Sequence, residues 1–491
     1  MDCPTSRFRC WLVVWLWGAL FYVHQQRFDA PTPFARLASL HAVVQERTLA
    51  IDRWHQRTPD KAFHDGHYYS DKAPGTAALA LPAFATAAAV LSRAGVDLDS
   101  PTGWRITSWA ACAFSQALPA ALGAAAFFAW LGRFVSPRAA LVTVVGLTLG
   151  SQPLPYSTLL FSHAQVIGLI GLAIWAMKLF VPEVEDGRLD SGQCEPNAVG
   201  RPAASATKPG RMALVGFCLG LALASEFTAG IVVVVLGAYG VFRARRVGAQ
   251  RSLRWFFWGA LPPLLLIPAY SWATISTPWD LPYSYQASFP AMREGLYAIK
   301  WPDVENLGRL LFGPARGLVF WTPFLVMAGF GWWWITRERP RWLWLTYAVP
   351  VLHALVISGR TWDWKAGSAI SARYLAPLLP LLALPCALGV QRWPRLGVAL
   401  AMLSVGLMSV ATVTDASPPY HLDNPLVQIH LPMLLQGKFS HTLGTALFGL
   451  PPAWGVALYN VYLAGGLVWL WRQTAPHRPS PASHPDAHEP A

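Results

Sequence analysis

The sequence predicts an all-α polytopic integral membrane protein, and three observations carry this prediction. Of its 491 residues, 54% are hydrophobic and only 13% are charged, whereas soluble domains carry about 25% charged residues. Apolar runs of about 20 residues, long enough to cross a bilayer as helices, recur along the chain. The 25 Trp and 14 Tyr residues fit a protein whose amphipathic rings lie at both membrane interfaces.

The net charge of +13 comes from arginines that recur in short loops between the apolar runs and do not form one basic domain. Such loops indicate topology, because cytoplasmic loops are enriched in Lys and Arg. A basic stripe within a recognisable nucleic-acid-binding fold is missing, so we expect no nucleic-acid partner. The six cysteines show no C-x-x-C spacing, which predicts neither a zinc site nor a disulfide framework.

The basic loops also predict the orientation of the chain. The first apolar run begins at Cys10, after Arg7 and Arg9, and lacks a small-residue cleavage site, so we expect an uncleaved first span. The later basic loops place both termini in the cytoplasm. The segments between them are then predicted to face outward: residues 25–75, 277–312, 358–372 and 415–450.

The number of spans depends on the run at residues 75–91. If this run and the next, at 106–131, both crossed the bilayer, Arg133 and Arg138 would lie outside, against the charge rule. We therefore expect the 75–91 run to lie in the interface or to re-enter, so that the large first outward loop contains short interfacial helices. This gives about 12 transmembrane helices, within a range of about 11–13.

The predicted membrane domain covers residues 1–480. Polar, Pro- and Gly-containing residues 182–211 are expected to form a disordered cytoplasmic loop, and residues 481–491 a disordered cytoplasmic tail. Residues 212–242 must go out and back within one short apolar stretch, which predicts short or broken helices with Glu226 between them. An ionisable residue at membrane depth is a candidate functional residue.

The first candidate site is the stretch at residues 50–74, which follows the first span. It holds four aspartates, three histidines and two lysines, interleaved with aromatic residues. The simpler interpretation is a solvated loop that needs charge. The functional one is that an aspartate acts as a general base on an acceptor hydroxyl, while Lys72 pairs with a phosphate as a point charge.

A second candidate site lies at residues 356–377, where Arg360, Lys365 and Arg373 are predicted on the outward side with Trp362. Cations on this side run against the charge rule and suggest an anion site with a stacking platform. The alternative is a Trp belt with snorkelling Arg and Lys side chains. His163 stands at another outward helix end, where a structural role is the competing interpretation.

Several motifs are absent from the sequence. It contains no G-x-x-x-x-G-K-[ST] or G-x-G-x-x-G turn and no G-x-S-x-G or H-E-x-x-H motif, which argues against a nucleotide-driven machine and against those hydrolases. The carboxylates could hold a divalent cation, but no spacing requires one. We therefore assign no metal ligands and no cofactor.

The order of these features resembles a known family. A first span with a cytoplasmic N-terminus, a large outward loop ending in H-Y-Y-S-D-K-A-P-G from His67, and polytopic helices resemble the membrane-embedded C-type glycosyltransferases. The bacterial relatives of protein O-mannosyltransferases and aminoarabinose transferases are the most similar group. In that family the first outer loop carries a catalytic acid and ends in a Lys-Pro-Pro or His-Pro-Pro element, and Asp71-Lys72-Ala73-Pro74 resembles it.

The resemblance implies an inverting transfer of a hexosyl or pentosyl group from a polyprenyl-phosphate donor to a lipid, glycan or protein acceptor, at the outer face of a bacterial inner membrane. The family often shows Asp-Glu and then Arg-Tyr after the first span, whereas Asp29 and Arg36 lie further apart here. The catalytic acid is therefore predicted among Asp52, Asp29, Glu46 and Asp71. The residues predicted to bind the donor phosphate or sugar are Lys72, Tyr69, Arg360, Trp362, Lys365, Arg373, Glu226 and His163.

Two other classes of protein fit part of the pattern. A transporter or lipid flippase would also combine polytopic helices with a broken helix, although such proteins tend to show breaks in matching positions of two halves. A polymerase or ligase of surface glycans would share the chemistry and differ in its acceptor. The glycosyltransferase is the leading prediction.

Overall fold

The computed structural model describes residues 6–24, 30–179, 208–246, 248–293 and 298–474. Most of them are helical. The α-helices, numbered in chain order, are α1 (Ser6–Phe21), α2 (Pro31–His41), α3 (Gly75–Arg93), α4 (Pro101–Cys112), α5 (Leu118–Leu131), α6 (Pro137–Thr148), α7 (Pro153–Tyr156), α8 (His163–Met177), α9 (Pro209–Ser225), α10 (Gly230–Arg246), α11 (Leu253–Ile275), α12 (Val304–Phe312), α13 (Leu318–Trp321), α14 (Val326–Glu338), α15 (Val349–Ser358), α16 (Leu379–Arg392), α17 (Pro394–Thr414), α18 (Leu431–Leu435), α19 (Leu443–Phe448) and α20 (Pro452–Gln473).

The strands in the described residues form two short antiparallel pairs. β1 (Val23–His24) pairs with β4 (His441–Thr442), and β2 (Lys61–His64) pairs with β3 (His67–Ser70). The first pair ties the end of α1 to a segment more than 400 positions later in the chain. The second is a hairpin within the first loop.

The predicted all-α membrane class is confirmed. Within the described residues, 8 helical stretches are long and apolar enough to cross a membrane, and further apolar helices have 10–17 residues. One of these, α6, has 12 residues, which span about 18 Å at 1.5 Å per residue and fall short of a bilayer core of about 30 Å. The count of about 12 spans therefore stays a prediction.

The segments predicted to face outward meet at one end of the helices, which we call the site face. It is formed by the first loop (residues 30–74) together with the described parts of segments 277–312, 358–372 and 415–450. Hydrogen bonds and ion pairs join them: Ala287 N to Lys61 O at 2.9 Å, Lys300 N to Gly359 O at 3.0 Å, and Lys365 Nζ to Asp423 Oδ1 at 2.9 Å.

The basic loops meet at the other end. Arg243 donates to the carbonyl oxygens of Met177 and Lys178 at 2.9 and 2.8 Å, which ties the end of α10 to the end of α8. The start of α6 contacts the ends of α16 and α20 through two pairs: Ser136 Oγ to Gln391 Oε1 at 2.8 Å, and Arg138 over the ring of Trp471 at 5.1 Å. The outward and basic loops therefore lie at opposite ends of the helices, and which end faces the cytoplasm stays a prediction.

The helix α3 begins at the site face. At its start, a Cβ on Gly75 would lie 2.7 Å from the backbone carbon of Ala224, at the end of α9, so the glycine permits this close approach. Beyond its end, Asp99 pairs with Arg53 of the first loop at 2.6 Å. Since α3 is long and apolar enough to span a membrane, the interfacial or re-entrant position of residues 75–91 stays a prediction.

The first loop has a hydrophobic core of its own. Phe34 and Leu37 of α2, Trp54, Phe84 of α3 and Trp104 of α4 are buried together. Ring packing within this cluster includes the stacked pair Phe34 and Trp104, whose ring centroids are 5.2 Å apart. The loop is therefore a folded layer on the helices and not a free hydrophilic strand.

Two helices meet at Glu226, and the first of them begins earlier in the chain than the sequence predicts. α9 and α10 have 17 residues each, or about 25 Å, and Glu226 breaks them with an extended backbone (φ −153°). The prediction of disorder at residues 182–211 is wrong at its end, because Pro209 starts α9 and a proline preorganises a first helical turn. Residues 180–207 and the predicted tail at 481–491 lie outside the described residues.

Candidate active site

The hairpin in the first loop places Asp71 and Lys72 at its base. β2 and β3 are joined by the two residues Asp65 and Gly66, whose φ angles are 48° and 85°. Two positive φ values are the geometry of a type I′ turn, which Asp-Gly sequences favour. Asp71 and Lys72 follow β3 directly and lead into α3.

Lys72 lies between two buried carboxylates, and we call these three residues (Asp60, Asp71 and Lys72) the lysine cluster. Lys72 Nζ is 3.2 Å from Asp60 Oδ2 and 3.2 Å from Asp71 Oδ1. The hydroxyl of Thr32 donates to Asp60 Oδ2 at 2.6 Å. Asp71 is fully buried, and its Oδ1, although near the ammonium, makes no hydrogen bond with a described residue. One cation therefore faces two acids.

The surroundings shift the pKa values of Asp60 and Asp71 in opposite directions. Burial disfavours the charged form of Asp60, but Lys72, the Thr32 hydroxyl and Arg373 outweigh it and lower the pKa of Asp60. Burial and the nearby Asp60 raise the pKa of Asp71 to about 6, against the opposing effect of Lys72. Burial also opposes the charge of Lys72, but the two carboxylates outweigh it and raise the pKa of Lys72. Asp60 is thus the better-stabilised anion.

The segment 277–312 closes over the lysine cluster. Gln286 Nε2 donates to Pro59 O at 2.9 Å and to Asp71 Oδ2 at 3.2 Å. The ring of Tyr283 lies 5.4 Å from Lys72 Nζ. This second outward segment therefore completes the polar environment of Asp71 and Lys72.

A cavity of about 300 Å³ opens beside Lys72. Arg36 of α2 and Lys72 supply cations to its lining, whereas most of the remaining wall is apolar. That wall comes from α2 and the turn after it, from α3 and from α11, through Leu40, Val43, Leu49, Ala77, Leu81, Leu266 and Ala269. The cavity thus combines a cationic end with an apolar flank.

Arg36 joins the first loop to the Glu226 break. It is buried, and its Nη1 and Nη2 donate to Leu160 O at 3.2 Å and Ser225 O at 3.4 Å, while its Nε has no hydrogen-bond partner among the described residues. Glu226 Oε2 accepts the Ser162 hydroxyl at 2.6 Å, and Oε1 accepts the Thr228 hydroxyl at 2.9 Å. Neutral donors thus satisfy both oxygens of this carboxylate.

His163 lies beside Glu226 at the start of α8. Its Nδ1 is 3.7 Å from Glu226 Oε2, beyond hydrogen-bond reach. The imidazole is buried against aromatic rings, including Tyr156 at 5.1 Å and Tyr374 at 6.4 Å. The structure therefore brings His163, Glu226 and Arg36 into one neighbourhood at the site face.

The segment 358–372 and the start of the next helix contribute two buried arginines. Arg360 and Arg373 lie on Tyr374, at 4.8 and 5.1 Å from the centre of its ring. Each has an Nε without a hydrogen-bond partner among the described residues. Trp362 is 37% exposed and contacts Phe289 with a ring separation of 5.8 Å, so it offers an accessible ring face near the arginines.

Two other predicted binding residues, Lys365 and Tyr69, make contacts outside this group of arginines and aromatic rings. Lys365 pairs with Asp423 at 2.9 Å and donates to Leu422 O at 3.3 Å, which commits its ammonium to the 415–450 segment. Tyr69 pairs with Ala62 in the hairpin, two positions before Asp71.

The other predicted acids lie outside the lysine cluster. Asp52 Oδ2 pairs with His67 Nδ1 at 2.6 Å, and Oδ1 accepts Tyr68 N at 2.7 Å. Glu46 lies 3.7 Å from Arg53, and both side chains are partly exposed. Asp29 lies outside the described residues. Of the four acids predicted for catalysis, the structure brings Asp71 into contact with Lys72.

Sequence patterns did not single out Asp60, Arg36, Thr32 and Gln286 as site residues. Asp60 is one of four aspartates in the 50–74 stretch, and Arg36 stands out in the sequence only through its distance from Asp29. Gln286 comes from a segment more than 200 positions away from the cluster. Arg36 carries one sequence signal that could have identified it: it is a cation in a segment predicted to face outward, where cations are disfavoured. Within the described residues, no group of three His, Cys, Asp or Glu side chains is arranged to hold a metal ion.

Together, the fold and the site define a polytopic membrane protein with a buried charged cluster at one end of its helices and an amphipathic cavity beside it. No protein-family model and no curated protein matches the chain. Two crystal structures of ArnT from Cupriavidus metallidurans, one bound to undecaprenyl phosphate and one in the apo state, align with 95% of this chain. The alignments include 77% and 76% of the two ArnT chains, with 16% and 17% sequence identity and TM-scores of 0.43 and 0.42.

A likeness at this TM-score is distant, and it transfers neither a substrate nor a residue role to this chain.

Proposed function

We propose that this protein is a glycosyltransferase that moves a sugar from a polyprenyl-phosphate donor to an acceptor hydroxyl on the extracytoplasmic face of a bacterial inner membrane. In this proposal both termini lie in the cytoplasm and the site face lies outside. The transferred group is a hexosyl or pentosyl group, and the acceptor is a lipid, a glycan or a protein.

The cavity beside Lys72 carries the proposal. A polyprenyl-phosphate sugar joins one anionic phosphate to a long apolar chain. The cationic end formed by Arg36 and Lys72 matches the phosphate, and the apolar side chains from α3 and α11 match the first isoprene units. Lys72 is a compact charge, and Arg36 keeps an unpartnered buried Nε, so both can contribute to phosphate binding.

The transfer would proceed as a displacement at the anomeric carbon. The acceptor oxygen forms its bond to this carbon while the bond between the carbon and the phosphate oxygen breaks. The electron pair leaves with the polyprenyl phosphate, which gains one negative charge, and the hydroxyl proton passes to a carboxylate. Lys72 and Arg36 stabilise the charge that develops on the departing phosphate.

The carboxylate that accepts the proton is one of Asp52, Asp29, Glu46 and Asp71 in this proposal. Asp71 contacts Lys72, whereas Asp52 and Glu46 would have to release their ion pairs with His67 and Arg53.

The segment 358–372 would receive the sugar. Trp362 presents a partly exposed ring, and an aromatic face of this kind stacks on the apolar face of a sugar. Arg360, Arg373 and the neighbouring Tyr374 would supply hydrogen-bond donors to sugar hydroxyls or to the phosphate. Glu226, His163, Tyr69 and Lys365 are proposed to support this binding site from its edges.

The test is a transfer assay in membranes that contain the full-length protein. Labelled polyprenyl-phosphate sugars should lose their sugar to an acceptor when the wild-type protein is present. Lys72→Ala should lower the rate at least about 100-fold, because the leaving phosphate loses a charge-assisted contact. Asp52→Asn, Glu46→Gln, Asp29→Asn and Asp71→Asn, assayed side by side, should identify the base by the largest loss of activity.

Lys61→Ala is the matched control for Lys72→Ala. Lys61 lies in the same loop, but its ammonium donates to His55 O at 2.7 Å and takes no part in the lysine cluster. This variant should keep near-wild-type transfer. Transport of the labelled lipid across the membrane without cleavage of its sugar would instead favour the flippase.

A further inference from the structure

We propose that the carboxyl group of Asp71 takes up a proton when the anionic donor binds, while Asp60 stays ionised as the fixed counter-ion of Lys72. This inference rests on the proposed donor class, and it gives Asp60 and Asp71 distinct roles as positioning residues for Lys72. A protonated Asp71 cannot accept the acceptor's proton, so the inference leaves Asp52, Asp29 and Glu46 as the candidate bases. It follows from three features of the lysine cluster: its charge count, its hydrogen bonds and its burial.

The charge count makes the cluster unfavourable for an anion. With both acids ionised, Asp60, Asp71 and Lys72 carry two negative charges and one positive charge, and Arg36, which lines the same cavity, offsets the excess negative charge. A phosphodiester placed against Lys72 would add a further negative charge to a buried site. Like charges within such a site raise each other's affinity for protons, so one carboxyl group should become neutral as the donor arrives.

The hydrogen bonds indicate which carboxyl group stays charged. Asp60 Oδ2 accepts the Thr32 hydroxyl at 2.6 Å and forms an ion pair with the Lys72 ammonium at 3.2 Å. Arg373 also acts on Asp60. These donors stabilise a carboxylate, so Asp60 remains the partner of Lys72 in both states.

Asp71 is placed to accept the proton. It is fully buried, and its Oδ2 accepts Gln286 Nε2 at 3.2 Å and Lys72 Nζ at 3.4 Å. Its Oδ1 lies 3.2 Å from Lys72 Nζ but makes no hydrogen bond with a described residue, so this oxygen is open to a proton. A proton would neutralise the group and would free the ammonium to turn towards a phosphate in the cavity. The charged and titratable groups that act on Asp71 or are acted on by it are Lys72 and Asp60 from the first loop, Tyr283 from segment 277–312 and Tyr270 from α11. The neutral Gln286 donates a hydrogen bond to Asp71 Oδ2.

Proton uptake has a measurable consequence for donor binding. In the free protein, burial and Asp60 raise the pKa of Asp71 to about 6. Below this pH, Asp71 is already protonated and the donor binds without uptake. Above it, each bound donor must bring in a proton, so the dissociation constant should rise by up to about tenfold per pH unit.

The experiment measures the binding of the undecaprenyl methyl phosphodiester to the purified full-length protein between pH 5 and pH 8. A diester has one fixed charge, whereas a phosphate monoester titrates near pH 6 and would obscure the result. The diester cannot donate a sugar, so binding is read without transfer. Wild-type affinity should be constant below about pH 6 and should then weaken by up to about tenfold per unit.

Two variants assign the effect. Asp71→Asn should bind with little dependence on pH, near the low-pH affinity of the wild type. Asp60→Asn removes the neighbouring negative charge, so the pH at which affinity begins to weaken should move to a lower value. If Asp71→Asn fails to fold, this shift in Asp60→Asn decides the question alone.

Asp65→Asn is the matched control. Asp65 lies in the same loop with a side chain that is 76% exposed, and its positive φ is one that asparagine tolerates. It should show the wild-type pH profile. A wild-type affinity that is constant up to pH 8, or a slope that survives in Asp71→Asn, would overturn the inference. If wild type binds the diester no better than neutral undecaprenol, the donor class is wrong and the inference falls with it.

Discussion

At the scale of single residues, Lys72 shows how burial makes charges depend on one another. Its ammonium is almost enclosed, with a side chain 10% exposed, and it lies within 3.2 Å of two acids. Removing one member of a buried charged group leaves its partners uncompensated, at a cost of about 3–5 kcal/mol. A substitution of Lys72 should therefore change both the stability of the folded protein and the proposed binding of phosphate.

A double-mutant cycle tests this coupling. Lys72→Ala should lower the free energy of unfolding by about 3–5 kcal/mol, because two buried carboxylates lose their cation. Adding Asp71→Asn should recover part of that loss, with a coupling energy of about 1–3 kcal/mol. The measurement is thermal unfolding in detergent, with Lys61→Ala as the control. Strictly additive effects would mean that Lys72 and Asp71 do not interact in the folded protein.

At the scale of structural elements, α3 and α11 form the apolar flank of the cavity. Leu266 lines the cavity, whereas its neighbour Leu265 is 52% exposed on the outside of α11. The two positions therefore offer a comparison within one helix.

Filling the cavity should impair binding of a long-chain donor. Leu266→Trp should weaken binding of the undecaprenyl methyl phosphodiester by about tenfold or more, because the larger ring occupies space that the lipid chain needs. Leu265→Trp should bind as wild type does, since its side chain faces away from the cavity. Equal binding by the two variants would show that the chain lies elsewhere.

At the scale of the whole molecule, the loops sort to two ends according to charge. The outward segments contact one another at the site face, and the basic loops contact one another at the opposite end. This arrangement predicts that the site face lies outside the cell membrane and that the basic loops lie in the cytoplasm.

Cysteine accessibility tests the orientation. In a variant without native cysteines, Asp423→Cys should react with a membrane-impermeant maleimide added outside spheroplasts, because Asp423 is 90% exposed on the site face. Arg251→Cys, in the basic loop between α10 and α11, should react only after the membrane is opened. The reverse pattern would place the site face in the cytoplasm and contradict the proposed function.

The position of residues 75–91 relative to the membrane stays a prediction, whereas the sequence by itself determined the membrane class, the grouping of outward and basic loops, and the helix break at Glu226. These follow from hydropathy and charge, which are local and additive along the chain. Lys72 was also found from its own neighbours, through the Asp71-Lys72-Ala73-Pro74 motif.

Only the tertiary structure decided which charges share a site. Asp60 and Asp71 are eleven positions apart, yet both contact Lys72, and Gln286 reaches Asp71 from a segment more than 200 positions away. Asp52, which had equal standing in the sequence, pairs instead with His67 on the exposed hairpin. Electrostatic interactions depend on distance and burial in three dimensions, and residue order specifies neither until the hairpin and the outward segments have packed together.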